Sequence, residues 1–226
     1  MITLSGIRKT YRTKEMETVA LDDVGLDVGK GEFVALVGPS GCGKSSLLHV
    51  AGLIDRPDAG QYIFDGEDIS AFRESRMVEI RRQHVGFIFQ SFNLLEDLTV
   101  FENVELPLLY QNVPKARRRD RVREVLELVG LDSRARHRPA QLSGGQQQRA
   151  AVARAVVGDP KLILADEPTG NLDTKNGDDV MEMLSTLNEQ GVSILMVTHS
   201  PVHAARAGRV VEMIDGRIAN AVRQAA

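Results

Sequence analysis

The stretch Glu32-Phe33-Val34-Ala35-Leu36-Val37-Gly38-Pro39-Ser40-Gly41-Cys42-Gly43-Lys44-Ser45-Ser46 decides the fold of this chain. It opens with a short apolar run, typical of a buried strand, and residues 45–51 at its other end have helical character. Between the two, residues 38–45 fit the pattern G-x-x-x-x-G-K-[ST], the P-loop, whose backbone N–H groups cradle phosphates. Since strand, loop and helix come in the order that this pattern requires, the sequence predicts a nucleotide-binding α/β domain.

Each part of the P-loop has an expected task. Its glycines let the backbone approach phosphates closely at the N-terminus of the following helix. Lys44 places a cation against the phosphates, and Ser45 is the expected Mg²⁺ ligand. We therefore expect the nucleotide to contact Gly38, Pro39, Ser40, Gly41, Cys42, Gly43, Lys44, Ser45 and Ser46.

The composition is that of an ordinary globular protein. The 226 residues suffice for one generous domain or for a core domain with an insert, and the hydrophobic (42%) and charged (26%) contents argue against disorder. A net charge of -3 gives no general attraction to nucleic acid or to anionic lipid. No apolar run approaches the ~18 residues that a spanning helix requires, and the first residues lack signal-peptide character. We therefore expect an intracellular chain that binds no nucleic acid and reaches a membrane only through a protein partner.

Two further apolar runs predict a parallel sheet. Residues 161–165 and 192–197 are largely apolar, as strands buried on both faces are. Between them, apolar residues recur at helical spacing over residues 180–187, and Gly191 is the expected stop. The pattern predicts a βαβ crossover.

Two hairpins are also predicted. Residues 62–64 run into Asp65-Gly66, and residues 209–214 run into Asp215-Gly216, which are typical tight turns between strands. We therefore expect an antiparallel subdomain beside the parallel core.

The middle of the chain predicts helices. Residues 91–141 contain no strong strand, and an apolar stripe over residues 122–129 ends at Gly130. Five arginines between residues 117 and 123 alternate with acidic residues on the same helix. We interpret them as a solvated face rather than an anion site, because mixed charges at helical spacing are common on exposed helices.

Polar residues follow the two strands of the crossover. Asp166 ends the first strand, where a carboxylate fits the Walker B acid that holds Mg²⁺ directly or through water. Glu167 comes next, and the alternative is that adjacent acids merely cap a strand. His199 follows the second strand, at the carboxyl edge where ligands bind in open α/β sheets, although a lone histidine there is more often structural.

A second anion site is predicted at Leu142-Ser143-Gly144-Gly145-Gln146, which precedes a helical segment. A small polar cap with exposed N–H groups makes a helix N-terminus attractive to phosphate. Because the chain already has a P-loop, this second site is redundant unless it serves another molecule.

These residues, the P-loop and Leu162-Ile163-Leu164-Ala165-Asp166-Glu167 together resemble the motifs of the ABC ATPases. The resemblance implies an α/β P-loop NTPase domain of ABC type, with a mostly parallel core sheet, an antiparallel β subdomain and a helical subdomain insert, and with ATP and Mg²⁺ as its ligands. We expect a single domain over residues 1–226. About 1–90 and 160–226 would form the core with the antiparallel subdomain, and about 91–159 the helical subdomain with the signature motif.

The resemblance also implies roles for single residues. Glu167 is the base that polarises the attacking water, and His199 is the switch histidine that contacts the γ-phosphate. Gln90 resembles the Q-loop glutamine that senses Mg²⁺ and water, and Tyr11 resembles the aromatic residue that stacks on adenine. The expected catalytic residues are thus Gln90, Glu167 and His199, and the expected metal ligands are Ser45, Gln90 and Asp166. The remaining histidines match no motif and are interpreted as structural or surface residues: His49, His84, His137 and His203.

Two copies of the chain are implied to pair head to tail. In that arrangement Ser143, Gly144, Gly145 and Gln146 of one copy close over the γ-phosphate held by the P-loop of the other. Asp173 resembles the D-loop residue that crosses this interface. The resemblance therefore implies a dimer that ATP closes and hydrolysis releases.

Within the family, residues 86–95 and 165–173 resemble the ATPases of the MacB and LolD type, which work with membrane proteins that export macrolides or peptides, or that extract lipoproteins. We therefore expect an integral membrane permease as a separate partner subunit, and a cytoplasmic location on the inner face of the cell membrane. Two alternatives stay open. One is a regulatory ATPase like FtsE, which drives a cell-division membrane partner, and the other is a soluble ABC protein that acts on ribosomes or DNA.

Overall fold

The computed structural model of the chain describes residues 1–12 and 16–223. In chain order its strands are β1 (Ile2–Arg12), β2 (Glu17–Val28), β3 (Phe33–Val37), β4 (Ala59–Phe64), β5 (Glu67–Asp68), β6 (Val85–Phe89), β7 (Leu162–Asp166), β8 (Ser193–Val197), β9 (Arg209–Ile214) and β10 (Arg217–Arg223). Its α-helices are α1 (Lys44–Ala51), α2 (Glu74–His84), α3 (Val100–Tyr110), α4 (Lys115–Leu128), α5 (Gly144–Val156), α6 (Thr174–Glu189) and α7 (Pro201–Ala204). None of the helices in these described ranges is long and apolar enough to cross a membrane.

The core is a mostly parallel sheet of six strands, in the order β10-β9-β3-β8-β7-β6. Neighbouring strands from β9 to β6 are parallel, and β10 pairs antiparallel at one edge. Successive residues of β7 enter two hydrophobic clusters on opposite faces of the sheet: Leu162 and Leu164 lie in one, Ile163 and Ala165 in the other. Burial on both faces explains why this strand reads as a continuous apolar run.

A second sheet is antiparallel and has the strand order β2-β1-β4-β5. Its buried residues, among them Ile2 and Leu4, belong to the same cluster as Leu47 and Leu48 of α1, so this sheet packs on the face of the core that carries α1. The predicted turn at Asp65 is present. Asp65 and Gly66 both have positive φ, 50° and 91°, as the tight turn between β4 and β5 requires.

The second predicted hairpin is present, but its expected place in an antiparallel subdomain is wrong. Strand β9 pairs parallel with β3, with Ala35 opposite Val210, so the β9–β10 hairpin extends the core sheet. The sequence pattern of residues 209–214 predicts a strand, but the same pattern would suit either sheet. It does not show which strand lies beside them.

The described chain between Phe89 and Leu162 contains helices and no strand. Helix α3 begins at a capping box, in which the Thr99 hydroxyl accepts from the Glu102 N–H and the Glu102 carboxylate accepts from the Thr99 N–H. The expected apolar stripe lies on α4 and just beyond it, and its residues are buried with α3 and α5 in one cluster. Two arginines of α4 form ion pairs with acids: Arg118 with Glu105 at 2.9 Å, and Arg121 with Glu124 at 2.8 Å and Asp159 at 2.6 Å.

A candidate nucleotide site at the carboxyl edge of the core sheet

The loop between β3 and α1 is pressed against two other strands. Gly38 and Gly43 have φ angles of 152° and 103°, which residues with a side chain rarely adopt. A Cβ at Gly38 would lie 2.1 Å from the Met213 carbonyl oxygen, and one at Gly43 would lie 2.3 Å from the Ala20 carbonyl oxygen. Only glycine therefore allows the loop to take this shape, and its shape is what exposes backbone N–H groups to a phosphate.

Lys44 supplies a buried cation at this loop. Its side chain is 6% exposed, and its ammonium donates to the carbonyl oxygens of Gly38 and Pro39 at 2.9 and 2.8 Å. No carboxylate among residues 1–12 and 16–223 lies within ion-pair distance of it. A buried charge is costly unless an opposite charge accompanies it. The loop therefore fits an anion such as a nucleotide phosphate, and the N-terminus of α1 adds to the attraction.

The expected metal ligands lie on adjacent strands or beside the P-loop. Asp166 is the last residue of β7 and pairs with Phe89 at the end of β6, so Gln90 follows at the same edge of the sheet. Ser45 lies in the first turn of α1. One carboxylate, one amide and one hydroxyl suit Mg²⁺, which takes few protein ligands and completes its shell with water and phosphate oxygens. No group of three or more His, Cys, Asp and Glu in the described part of the chain offers a rival metal site.

Glu167 and His199 are in direct contact. The Nε2 atom of His199 lies 2.9 Å from Oε1 of Glu167, and the two side chains are 43% and 24% exposed, respectively. Glu167 has a φ of 45°, and its N–H donates to the Val197 carbonyl oxygen at 3.0 Å, which ties the residue to the end of β8. The arrangement can hold and orient a water molecule with a carboxylate and an imidazole together.

Gln90 is fixed beside Glu167. Its backbone carbonyl accepts from the Asn171 amide at 3.0 Å. A Cβ at Gly170 would lie 2.9 Å from Gln90 Nε2 and 3.3 Å from Glu167 Oε2, so the two side chains meet around this glycine. No local pattern indicates why Gly170 must be glycine, because the need for it arises from neighbours that come together only in the fold.

The predicted cap at Ser143 is confirmed. Its hydroxyl accepts from the Gln146 N–H at 3.3 Å, and the Gln146 side chain accepts from the Ser143 N–H at 3.0 Å. Gly144 is exposed, and a Cβ there would make only ordinary contacts. Gly145 differs, because its Cβ would lie 2.1 Å from Asn176 Oδ1. Of the two glycines, therefore, only Gly144 is free of a packing requirement within its own chain.

Asp173 caps helix α6. Its carboxylate accepts from the Asn176 N–H at 2.9 Å and from the Asn176 side-chain amide at 2.7 Å. These bonds to Asn176, the backbone bond first, hold the pKa of Asp173 below its usual range. Asn176, in the first turn of α6, thus contacts both Asp173 and Gly145.

Tyr11 lies on β1, half exposed, beside the helix that follows the P-loop. Its hydroxyl donates to Asp55 Oδ2 at 2.5 Å, and the ammonium of Lys9 lies 5.3 Å from its ring centre. Desolvation, followed by the hydrogen bond to Asp55, raises the pKa of Tyr11, and Ser46 of α1 is a further hydrogen-bond neighbour. The phenol is therefore held in one place by its oxygen, with part of its ring accessible.

A P-loop between strand and helix, a buried cation with no carboxylate within ion-pair distance in the described chain, and a carboxylate–imidazole pair together fit a nucleotide-binding ATPase site on a P-loop fold. Residues 21–170 match the ABC transporter family, and the chain belongs to that family.

Relatives and solved structures agree with this assignment. The chain is 48% identical over 96% of its length to the macrolide export ATP-binding/permease protein MacB 1/2 of Paracoccus denitrificans, and spans 33% of that protein. It is 48% identical over the same share to an ABC transporter ATP-binding protein of Thermotoga maritima, of which it covers 93%. The ATP-binding cassette MJ0796, solved as a dimer in a post-hydrolysis state with ADP and Pi, matches with a TM-score of 0.92 at 40% identity, over 99% of this chain and 98% of that one. The predicted fold class is thereby confirmed.

Proposed function

We propose that the chain binds ATP at the P-loop and hydrolyses it with Mg²⁺. The nucleotide phosphates are held by the backbone of residues 38–43 and by Lys44, and the adenine stacks on Tyr11. Ser45, Gln90 and Asp166 hold Mg²⁺, which neutralises charge on the phosphates when bound. The strongest support for this proposal is the Glu167–His199 contact of 2.9 Å, at the edge of the sheet where β7 ends with Asp166.

In this proposal Glu167 is the base and His199 stabilises the γ-phosphate. A carboxylate held in place by an imidazole is suited to accept the proton of the attacking water as a general base. Gln90, whose side chain meets that of Glu167 beside Gly170, positions the attacking water. Because phosphoryl transfer needs chiefly positioning and charge neutralisation, these three side chains contribute by holding the attacking water and the γ-phosphate in place.

A second copy of the chain completes each site. Residues 143–146 present a helix N-terminus, and Gly144 there can approach a phosphate without a side chain in the way. We infer that this surface closes over the γ-phosphate bound to the other copy, with Asp173 at the interface between them. The dimeric state of MJ0796, bound to ADP and Pi, supports this arrangement.

The dimer drives a membrane permease. MacB 1/2 of Paracoccus denitrificans carries both functions in its name, ATP-binding and permease, and the chain spans about a third of that protein's length. We infer that the permease acts in export or extraction, and that it holds the ATPase on the cytoplasmic face of the membrane.

Two measurements test the proposal. Phosphate release from ATP should require Mg²⁺. In Lys44→Met, both phosphate release and nucleotide binding should be lost, because that variant removes the only cation described at the P-loop. Capture of the protein from its native membranes should recover a polytopic membrane protein. Recovery with ribosomal particles or DNA, and with no membrane protein, would contradict the proposed role in transport but not the proposed ATPase activity.

A further inference from the structure

Two adjacent segments carry Glu167 and His199. We call residues 167–173 the Glu167 loop and residues 198–204 the His199 segment. Besides the Glu167–His199 contact, they are joined by a second link, in which Thr169 Oγ1 lies 2.8 Å from His203 Nδ1. Both residues of this link are partly buried.

The Glu167 loop starts in a conformation that has to be held. Glu167 has a φ of 45°, in the left-handed region that residues other than glycine rarely adopt. Such a conformation persists only where the surrounding contacts over-determine it. The contacts that fix this loop are therefore part of what keeps the Glu167 carboxylate in place.

Helix α5 holds one side of the loop. Gln148 is fully buried, and its amide donates to the Pro168 carbonyl oxygen at 2.6 Å. The next residue, Thr169, is bonded by His203 of the His199 segment. Pro168 and Thr169, the two residues after Glu167, are thus bonded to both α5 and the His199 segment.

The backbone at His203 is itself well anchored. Ser200 caps the short helix α7 by accepting from the His203 N–H at 3.3 Å, and Pro201 occupies the first helical position. Close to the ring, Gly177 of α6 leaves room: a Cβ there would lie 3.6 Å from His203 Cε1 and 3.6 Å from Thr169 Cβ. The hydrogen bond therefore joins two fixed backbones, which is what a positioning contact requires.

We propose that His203 is a positioning residue for hydrolysis: through Thr169 it fixes the Glu167 loop against the His199 segment, and so keeps Glu167 in its left-handed conformation with its carboxylate on His199. This inference rests on the proposed ATPase function. His203 touches neither Glu167 nor the P-loop through any hydrogen bond or ion pair described for it, so it acts on the reaction only through Thr169.

The test compares variants that break or keep this bond. In His203→Leu and in Thr169→Val, the maximal rate kcat should fall about five- to tenfold, as the loss of one hydrogen bond allows. The KM for Mg-ATP and the Kd for ATP should stay within about twofold, because the P-loop is untouched. His203→Asn, whose amide can replace Nδ1 as a partner for the Thr169 hydroxyl, should recover at least half of the lost rate.

The double variant distinguishes the bond from two separate effects. If the hydrogen bond carries the effect, His203→Leu combined with Thr169→Val should be no slower than either single variant. Rates are normalised to the concentration of ATP-binding sites, so that a variant that merely unfolds does not count as slow, and Thr169→Val serves if His203→Leu fails to fold. An unchanged kcat in either single variant, or multiplying losses in the double variant, would overturn the inference alone. Absence of turnover in the wild-type protein would overturn the proposed function, and the inference with it.

Discussion

Glu167 Oε1 and His199 Nε2 lie 2.9 Å apart, although His199 comes 32 positions after Glu167 in the chain. The two residues follow β7 and β8, which are parallel neighbours with Asp166 paired to Val197. Parallel strands bring their carboxyl ends to one edge, so two polar residues placed just after them meet there. Sheet topology therefore brings the two residues to one edge, and the contacts of the loop that follows Glu167 hold the carboxylate there.

Replacing Glu167 by glutamine should separate binding from hydrolysis. Glu167→Gln keeps the side chain's size and its place beside His199 but removes the carboxylate, so ATP binding should persist while turnover falls by about 10²–10⁴-fold. Saturating Mg-ATP should then trap the dimer, which size-exclusion chromatography with light scattering detects. Glu127→Gln, on the exposed face of α4, is the matched control and should hydrolyse like the wild-type protein. A Glu167→Gln protein that hydrolyses normally and stays monomeric would refute the assigned role.

Gly170→Ala should also reduce turnover, for a steric reason. The new methyl group would lie 2.9 Å from Gln90 Nε2 and 3.3 Å from Glu167 Oε2, so at least one of these side chains must move. We expect a loss of about tenfold or more in kcat, with ATP binding and the melting temperature nearly unchanged. Gly25→Ala is the control, since its nearest contact, the Leu4 carbonyl oxygen, is 3.9 Å away. Equal kcat values in the two variants would contradict the crowding argument.

Much of the core sheet could be predicted from sequence because its strands are buried on both faces. Strand β1 could not, although it is 11 residues long. Its alternation of buried residues breaks between Leu4 and Ile7, where the register with β2 shifts and Gly6 has a φ of 61°. A bulge inserts an extra residue and destroys the two-residue period on which strand prediction depends.

The residues of the site differ in the same way: some could be predicted from the sequence and others could not. Residues within a local motif, such as Lys44, could be named from the sequence because the motif carries its own geometry. His203 could not be, because its partner Thr169 lies 34 residues away and nothing in the local pattern connects them. Long-range pairs of this kind are set by the packing of loops, which the sequence pattern of either loop does not encode.

The two signature glycines should respond differently to alanine. Gly145→Ala places a methyl group 2.1 Å from Asn176 Oδ1, so the N-termini of α5 and α6 must separate and the melting temperature should fall. Gly144→Ala meets only ordinary contacts and should fold normally, yet it should impair ATP-dependent dimerisation, because its methyl group lies where the proposed partner phosphate approaches. Thermal melts and light scattering with Mg-ATP check both statements. A Gly144→Ala protein that dimerises like wild type would argue against that approach.

Asp65 should stabilise the fold by an amount that depends on pH and is lost in acid. Its carboxylate lies 2.8 Å from the Lys30 ammonium and 2.7 Å from the Lys161 ammonium, which joins the β4–β5 turn to the segments before β3 and β7. Hydrogen bonding to Lys161, and then to Lys30, lowers the pKa of Asp65 from 3.8 to about 2. Because the folded pKa is below the unfolded one, the stabilisation is fully present above about pH 4 and is lost as pH falls toward 2.

The variant Asp65→Asn isolates this contribution, since asparagine also tolerates the positive φ of 50° at this turn. The Lys30 side chain is 76% exposed and that of Lys161 is 48% exposed, so solvent screens the ion pairs. We therefore expect the free energy of unfolding at pH 7 to fall by only about 1 kcal/mol. The difference between the variant and the wild-type protein should shrink between pH 4 and pH 2, because protonation then removes the same charge from the wild type. Urea unfolding of both proteins at several pH values measures it. A difference that stays constant down to pH 2 would mean that the carboxylate's charge plays no part and that the turn prefers aspartate for another reason.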